Sequence, residues 1–392
     1  MKKVFKLMRL EIMLLACTVI ILNGCNNSVI SVEGEVFTEY KTEDDKKKLL
    51  INTKTDGRLI RKFNDKIVKI FPQTKSEFFE DGSFILESGI IVVSEKNWKS
   101  VKEIEVKKFL EPKWGRCQFI RLKIPADLEV DRIMVELKYL IPGEKDFSIN
   151  KEGYHLFDYE NKRYFGFFIP FNVFQKPEKV KVKANIHSNN DLAAECHIIQ
   201  EIFPFEFETQ NIYFKKSKSG ELKSTSKNKY REEHKIRKKI WAENNPDHYF
   251  FNGIKMPLEN TSRLTSDFGL KREWILSSGK VYSRSVHLGV DFGIRSGTDI
   301  FAPGDGIVRY AQEGAYVGKT VILEHGFSFF TDYSHMSKII VEPGQKIRKG
   351  EKIGEAGMTG AATGPHLHWG ARVDGLPVDP RAFIGIDKIF IP

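Results

Sequence analysis

The sequence predicts a mainly β protein: an N-terminal β-sandwich-like region, a basic linker and helix, and a C-terminal domain of Gly-rich antiparallel strands. Three observations lead there. Alternating apolar and polar residues recur in short stretches up to about residue 214, the period of strands rather than helices. Of the 30 glycines, 20 fall from Gly253 onward, punctuating short β-branched runs. Between the two lies one dense run of positive charge.

Composition sets the outer bounds. With 392 residues, 41% hydrophobic and 29% charged, the chain is globular and long enough for more than one domain. A disordered chain and a multi-span membrane protein are excluded. The net charge of +10 is local, because residues 215–240 hold 11 Lys or Arg against 3 Asp or Glu. A charge confined to one stretch reads as linker and solvated helix face and argues against a nucleic-acid partner.

Residues 1–25 read as an export signal. Lys2, Lys3, Lys6 and Arg9 precede an apolar run, Ile12 to Leu22, of about 11 residues. That is too short for a bilayer core of ~30 Å and has signal-peptide proportions. The run ends in Leu22-Asn23-Gly24-Cys25, which resembles a bacterial lipobox apart from Asn23. A lipid on Cys25 would tether the exported chain to a membrane face in the cell envelope without spanning it. Cys17 leaves with the signal, whereas Cys117 and Cys196 could pair in an oxidising compartment or remain thiols.

Residues 26–214 read as all β, with 30–111 and 112–214 as two candidate units. Lys179-Val180-Lys181-Val182-Lys183-Ala184 is one alternating stretch, and Ile141-Pro142-Gly143 one turn signal. His155, His187 and His197 stand singly and offer no catalytic spacing. Residues 215–247 start as Ser/Lys-rich linker and become helical from Tyr230 to Trp241, with Glu233 and Arg237 spaced for an i,i+4 pair and Pro246 as a stop. Residues 248–392 form the last region, expected to fold and act alone.

Five of the ten histidines lie after residue 286, and four of them, all but His325, fall in three patterns. In His287-Leu288-Gly289-Val290-Asp291, the ends of a straight strand would lie ~13 Å apart. To share one metal the chain must turn between them, and Gly289 would allow it. In His366-Leu367-His368 the two imidazoles leave the same face of a strand, so one can ligate while the other stands beside the metal. Tyr333-Ser334-His335 adds a further imidazole in a polar turn. Together they supply His, Asp and His ligands plus two spare imidazoles, the ligand count of a catalytic zinc site with an open position for water.

Residues 260–381 resemble the LytM/lysostaphin-type zinc metallopeptidases, which cut peptidoglycan cross-bridges. The likeness is carried by Thr265-Ser266-Asp267-Phe268-Gly269, His287-Leu288-Gly289-Val290-Asp291, Ala302-Pro303-Gly304-Asp305-Gly306, Tyr333-Ser334-His335, Thr363-Gly364-Pro365-His366-Leu367-His368-Trp369 and Pro377-Val378-Asp379-Pro380. The resemblance implies a Gly-rich β metallopeptidase domain holding one zinc ion on His287, Asp291 and His368, with His335 and His366 in catalysis and peptidoglycan as substrate. His325 fits a family position but is not one of its site residues. Two other readings compete with this one. A silent family member that regulates another wall hydrolase would lack ligands that this chain keeps. A cytosolic phosphocarrier would have paired histidines, no Asp291 and no export signal.

Overall fold

A computed structural model describes the strands between residues 29 and 92 by their backbone. It describes residues 104–392 apart from 111, 172, 175–176, 215–223, 244, 246–251 and 260–262. The export signal and Cys25 lie outside the described residues. Among the described residues no helix is long and apolar enough to cross a membrane.

The expected mainly β character is what the chain shows, with one α-helix among the described residues. The chain divides into two compact units. One comprises Met1–Ile104, Asp127–Met134 and Val182–Ile199; the other comprises Glu105–Ala126, Val135–Lys181 and Gln200–Pro392. In the first, antiparallel strands follow one another from Val29–Val32 to Lys66–Pro72, and Asp191–Glu201 pairs with Ser88–Val92.

The second unit contains every histidine of the C-terminal patterns. Its principal sheet is built from β1 (Arg263–Ser266), β2 (Gly289–Gly293), β3 (Gly306–Gly314), β4 (Gly318–Gly326), β5 (Phe329–Met336), β6 (Lys346–Ile347), β7 (His366–Val373) and β8 (Leu376–Val378). The strand order is β1-β2-β7-β5-β4-β3-β6, with β8 on the side of β7. β7 is the pivot. Leu367, Trp369, Ala371 and Val373 are wholly buried, whereas His366 and His368 are only partly so, as the two-residue strand period demands.

The core under this sheet does not stop at residue 248. Antiparallel strands Cys117–Pro125, Phe147–Tyr159 and Lys162–Pro170 contribute Phe119, Tyr154, Leu156 and Phe168 to the same apolar cluster as Phe327, Phe329 and Phe383. Tyr154 stacks on Phe327 at 4.3 Å, and Phe168 meets the Phe383 ring edge-on at 5.7 Å. A buried ion pair of 2.5 Å joins Lys151 to Asp374, just past β7. Arg121 donates to the Ile389 carbonyl, tying down the C-terminus. The Thr209–Phe214 strand also runs parallel to Lys271–Leu276.

Helix α1 spans Ser224–Trp241, starting six residues before the expected Tyr230, inside the stretch read as linker. Glu233 and Arg237 do not pair with each other. Glu233 accepts from the Ala315 amide, and the Arg237 guanidinium lies over the Trp241 ring. A tertiary partner takes Glu233 and a different i,i+4 neighbour takes Arg237, and Trp241 packs with Tyr310, Ile322 and Phe330 of the principal sheet. Cys117 and Cys196 are both buried, and no disulfide joins them.

Candidate metal centre and catalytic groups

Three ligand-type residues converge at one end of β2 and β7. Asp291 and His368 are direct cross-strand partners, and His287 sits in the two-residue link that leads into β2. The change of direction falls at His287 and Leu288, because the preceding strand, Val281–Val286, pairs elsewhere with Lys271–Leu276. Gly289 is not the turn. A Cβ there would press on the His368 imidazole and the Trp369 carbonyl, so the glycine makes room for a ligand.

The donor atoms are closely set. His287 Nε2 lies 3.0 Å from Asp291 Oδ1 and 3.1 Å from His368 Nδ1, and His368 Nδ1 lies 2.8 Å from the same oxygen. His287 Nδ1 is 2.8 Å from the Asp267 carbonyl, which can only accept, so Nδ1 carries the proton and Nε2 presents its lone pair. Acceptor atoms this close need a shared positive charge, a proton or a cation. Tetrahedral bonds of ~2.0–2.1 Å imply ligand–ligand edges of ~3.3 Å, so the three atoms are set almost as such a cation requires. A cluster of two imidazoles and one carboxylate, partly buried, suits zinc.

The electrostatics follow from burial and pairing. Burial alone would raise the Asp291 carboxyl, but the His287 and His368 imidazoles beside it hold it far below the usual carboxylate range. Burial lowers the His287 imidazole despite its carboxylate partner. At His368 burial acts in the same sense, yet Asp291 outweighs it and holds the imidazole above its ordinary value. Behind His368, Asp332 Oδ2 stands 3.9 Å from the far ring nitrogen, Nε2.

The two spare imidazoles stand beside this cluster. Their rings are 4.7 Å apart, and His366 Nε2 is 4.0 Å from Asp291 Oδ1. Each is anchored through Nδ1 to a backbone carbonyl: Thr359 for His335 and Gly364 for His366, both at 2.8 Å. A carbonyl can only accept, so Nδ1 donates in both rings and Nε2 is left for other partners. Burial pushes His335 down to about 4, so it is neutral at neutral pH. His335 also has φ 63°, a left-handed backbone that a non-Gly residue adopts at a cost. Its amide donates to Val317, and Thr359 Oγ1 donates to the neighbouring Met336 carbonyl. Gly318 and Gly360 let these loops touch, since a Cβ on either would strike the other loop's backbone.

His325 lies elsewhere, fully buried between the Asp305 carbonyl and Thr331 Oγ1. His155, His187 and His197 are not part of the cluster. Sequence reasoning assigned no role to Arg272, Asp332, or the Thr359 and Gly364 carbonyls. Ser266, within a quoted motif, also proves to be a partner: its Oγ is 3.1 Å from His287 Nδ1 and accepts from Arg272 at 2.7 Å.

A β domain that closes two imidazoles and a carboxylate around one point, with two further imidazoles alongside, has the ligand set of a metal site with an open position. Residues 285–380 match Peptidase family M23, and this part of the chain is an M23 domain. The peptidoglycan DD-endopeptidase ShyA of Vibrio cholerae is 37% identical over 125 residues, 32% of this chain and 28% of that protein. The DD-carboxypeptidase/endopeptidase Mpg of Neisseria meningitidis is 37% identical over 120 residues, 30% of this chain and 26% of that protein. The aligned segment thus spans under a third of either relative. The solved catalytic domain of lysostaphin from Staphylococcus simulans is 28% identical and covers 29% of this chain and 81% of that one, with a TM-score of 0.25, too low to bear on the assignment.

Proposed function

We propose that this chain is a zinc-dependent endopeptidase that hydrolyses peptide cross-links of peptidoglycan in the cell envelope. The observation that carries the reading is the convergence of His287 Nε2, Asp291 Oδ1 and His368 Nδ1 beside two imidazoles whose Nε2 atoms are free. The M23 match and the names of the relatives supply the substrate class. A cation bound by these three atoms supplies Lewis acidity toward a peptide carbonyl and toward water.

His335 and His366 then do the proton work. A neutral imidazole takes the proton of an attacking water at Nε2, while its Nδ1–H stays on the backbone carbonyl that orients it. The imidazolium so formed can return that proton to the departing amine. His335 is neutral at neutral pH, so its Nε2 is open to accept a proton. The export signal with Cys25 as lipid acceptor belongs to this proposal as the route to the wall.

Purified protein incubated with cross-linked peptidoglycan tests it, with products identified by mass. The expected result is cleaved cross-links with new peptide amines, abolished by a chelator and restored by zinc. Intact cross-links with zinc-loaded protein would contradict the proposal.

A further inference from the structure

Arg272 lies at the edge of the metal cluster, and its partners do not account for it. Its Nη2 donates to Ser266 Oγ at 2.7 Å and stands 3.6 Å from Asp291 Oδ2, beyond hydrogen-bond reach. A guanidinium has five N–H donors, so most of its donor capacity is uncommitted. The side chain is 28% exposed, whereas that of Asp291 is 12% exposed. The neighbouring cations are satisfied: Arg284 pairs with Glu273, and Arg381 with Asp267 and Asp379.

A purely structural role explains this poorly. A cation beside a ligating carboxylate withdraws charge from it and weakens its hold on a metal. A divalent cation on neutral imidazoles is balanced by Asp291 and by Asp332 behind His368, so Arg272 leaves the centre with a net positive charge whose field favours an anion beside its partly exposed side chain. An arginine is suited to receive a carboxylate there in two-point geometry.

We propose that Arg272 is a substrate-binding residue that receives a free carboxylate next to the scissile amide, so that the site prefers anionic peptides over their amidated counterparts. This rests on the endopeptidase reading and names the feature of the peptide that the site selects.

The test is binding, read apart from hydrolysis. Zinc-loaded full chain is titrated calorimetrically with N-acetyl-D-alanyl-D-alanine and with its C-terminal amide, for wild type and for Arg272→Gln and Arg272→Lys. Wild type is expected to prefer the acid. Arg272→Gln should weaken the acid by about tenfold to a hundredfold, the range of a lost charge-assisted hydrogen bond, and leave the amide unchanged. Arg272→Lys should keep part of the preference, and zinc content should stay at one per chain. Equal affinity of wild type for both peptides, failure to bind either, an undiminished preference in Arg272→Gln, or loss of zinc in that variant would overturn the proposal. A binding preference without cleavage of peptidoglycan would instead count against the endopeptidase reading alone.

Discussion

Asp291 and His368 face each other across adjacent antiparallel strands, with Oδ1 and Nδ1 2.8 Å apart. Both backbones are fixed by sheet hydrogen bonds, so these two donors are set before any cation arrives. Only His287 is carried by a non-strand link, and its Nδ1–H on the Asp267 carbonyl stops the ring from turning. Ligands held in this way lose little freedom on binding, which favours affinity.

Asp332 should tune that affinity. Its carboxylate stands 3.9 Å behind His368 Nε2 and makes the imidazole a better donor. Asp332→Asn is expected to lower zinc affinity by about tenfold, measured by competition with a chromogenic chelator, with an unchanged far-UV spectrum. Unaltered affinity would show that the carboxylate does not act through His368.

The apolar core shared by Phe168 with Phe329 and Phe383 makes the β strands upstream part of the same folding unit. Phe168 is wholly buried, so Phe168→Ala should cost about 3–5 kcal/mol, read from urea midpoints. For the same reason fragment 248–392, expected from sequence to stand alone, should be much less stable than the full chain and expose apolar surface to a hydrophobic dye. A fragment as stable as the intact protein would show that this shared surface contributes little.

His325 sets an acid limit on stability. Burial pushes its imidazole down to about 4, against ~6.5 in an unfolded chain. Between these values the unfolded state binds more protons than the folded one, so stability rises with pH across that window. Acidifying from pH 7 to 4 should remove up to about 3 kcal/mol through this residue. His325→Gln, which keeps polar capacity but cannot charge, should flatten the dependence of the urea midpoint between pH 6.5 and 4. An unchanged slope would place the sensitivity elsewhere.

The legible parts of the site were those written in local spacing. The His366-Leu367-His368 alternation on one strand gives two imidazoles on one face, and β7 displays them so. Spacing alone shows only that His287 and Asp291 must approach, which makes Gly289 look like a turn. Its closeness to His368 depends on a strand pairing some 80 residues away in the chain. The Thr359 and Gly364 carbonyls that orient His335 and His366 carry no side-chain signature at all. Arg272 and Asp332 look like ordinary strand charges until pairing brings them to the cluster. Likewise α1 begins early, in a stretch of low helix propensity, and its far end is held by tertiary packing of Trp241 that its own sequence does not announce.

The most direct test of the whole account separates His366 from His368, two residues apart on one strand. Zinc content by atomic absorption is measured beside the rate of peptidoglycan cleavage for His366→Ala and His368→Ala. With His368 Nδ1 in the donor cluster and His366 Nε2 4.0 Å from Asp291, His368→Ala should lose metal and activity together. His366→Ala should keep nearly one zinc per chain and lose turnover by ~10²–10⁴-fold, the usual share of a general acid or base. Metal lost from His366→Ala but retained by His368→Ala, or full activity in either variant, would contradict the assignment.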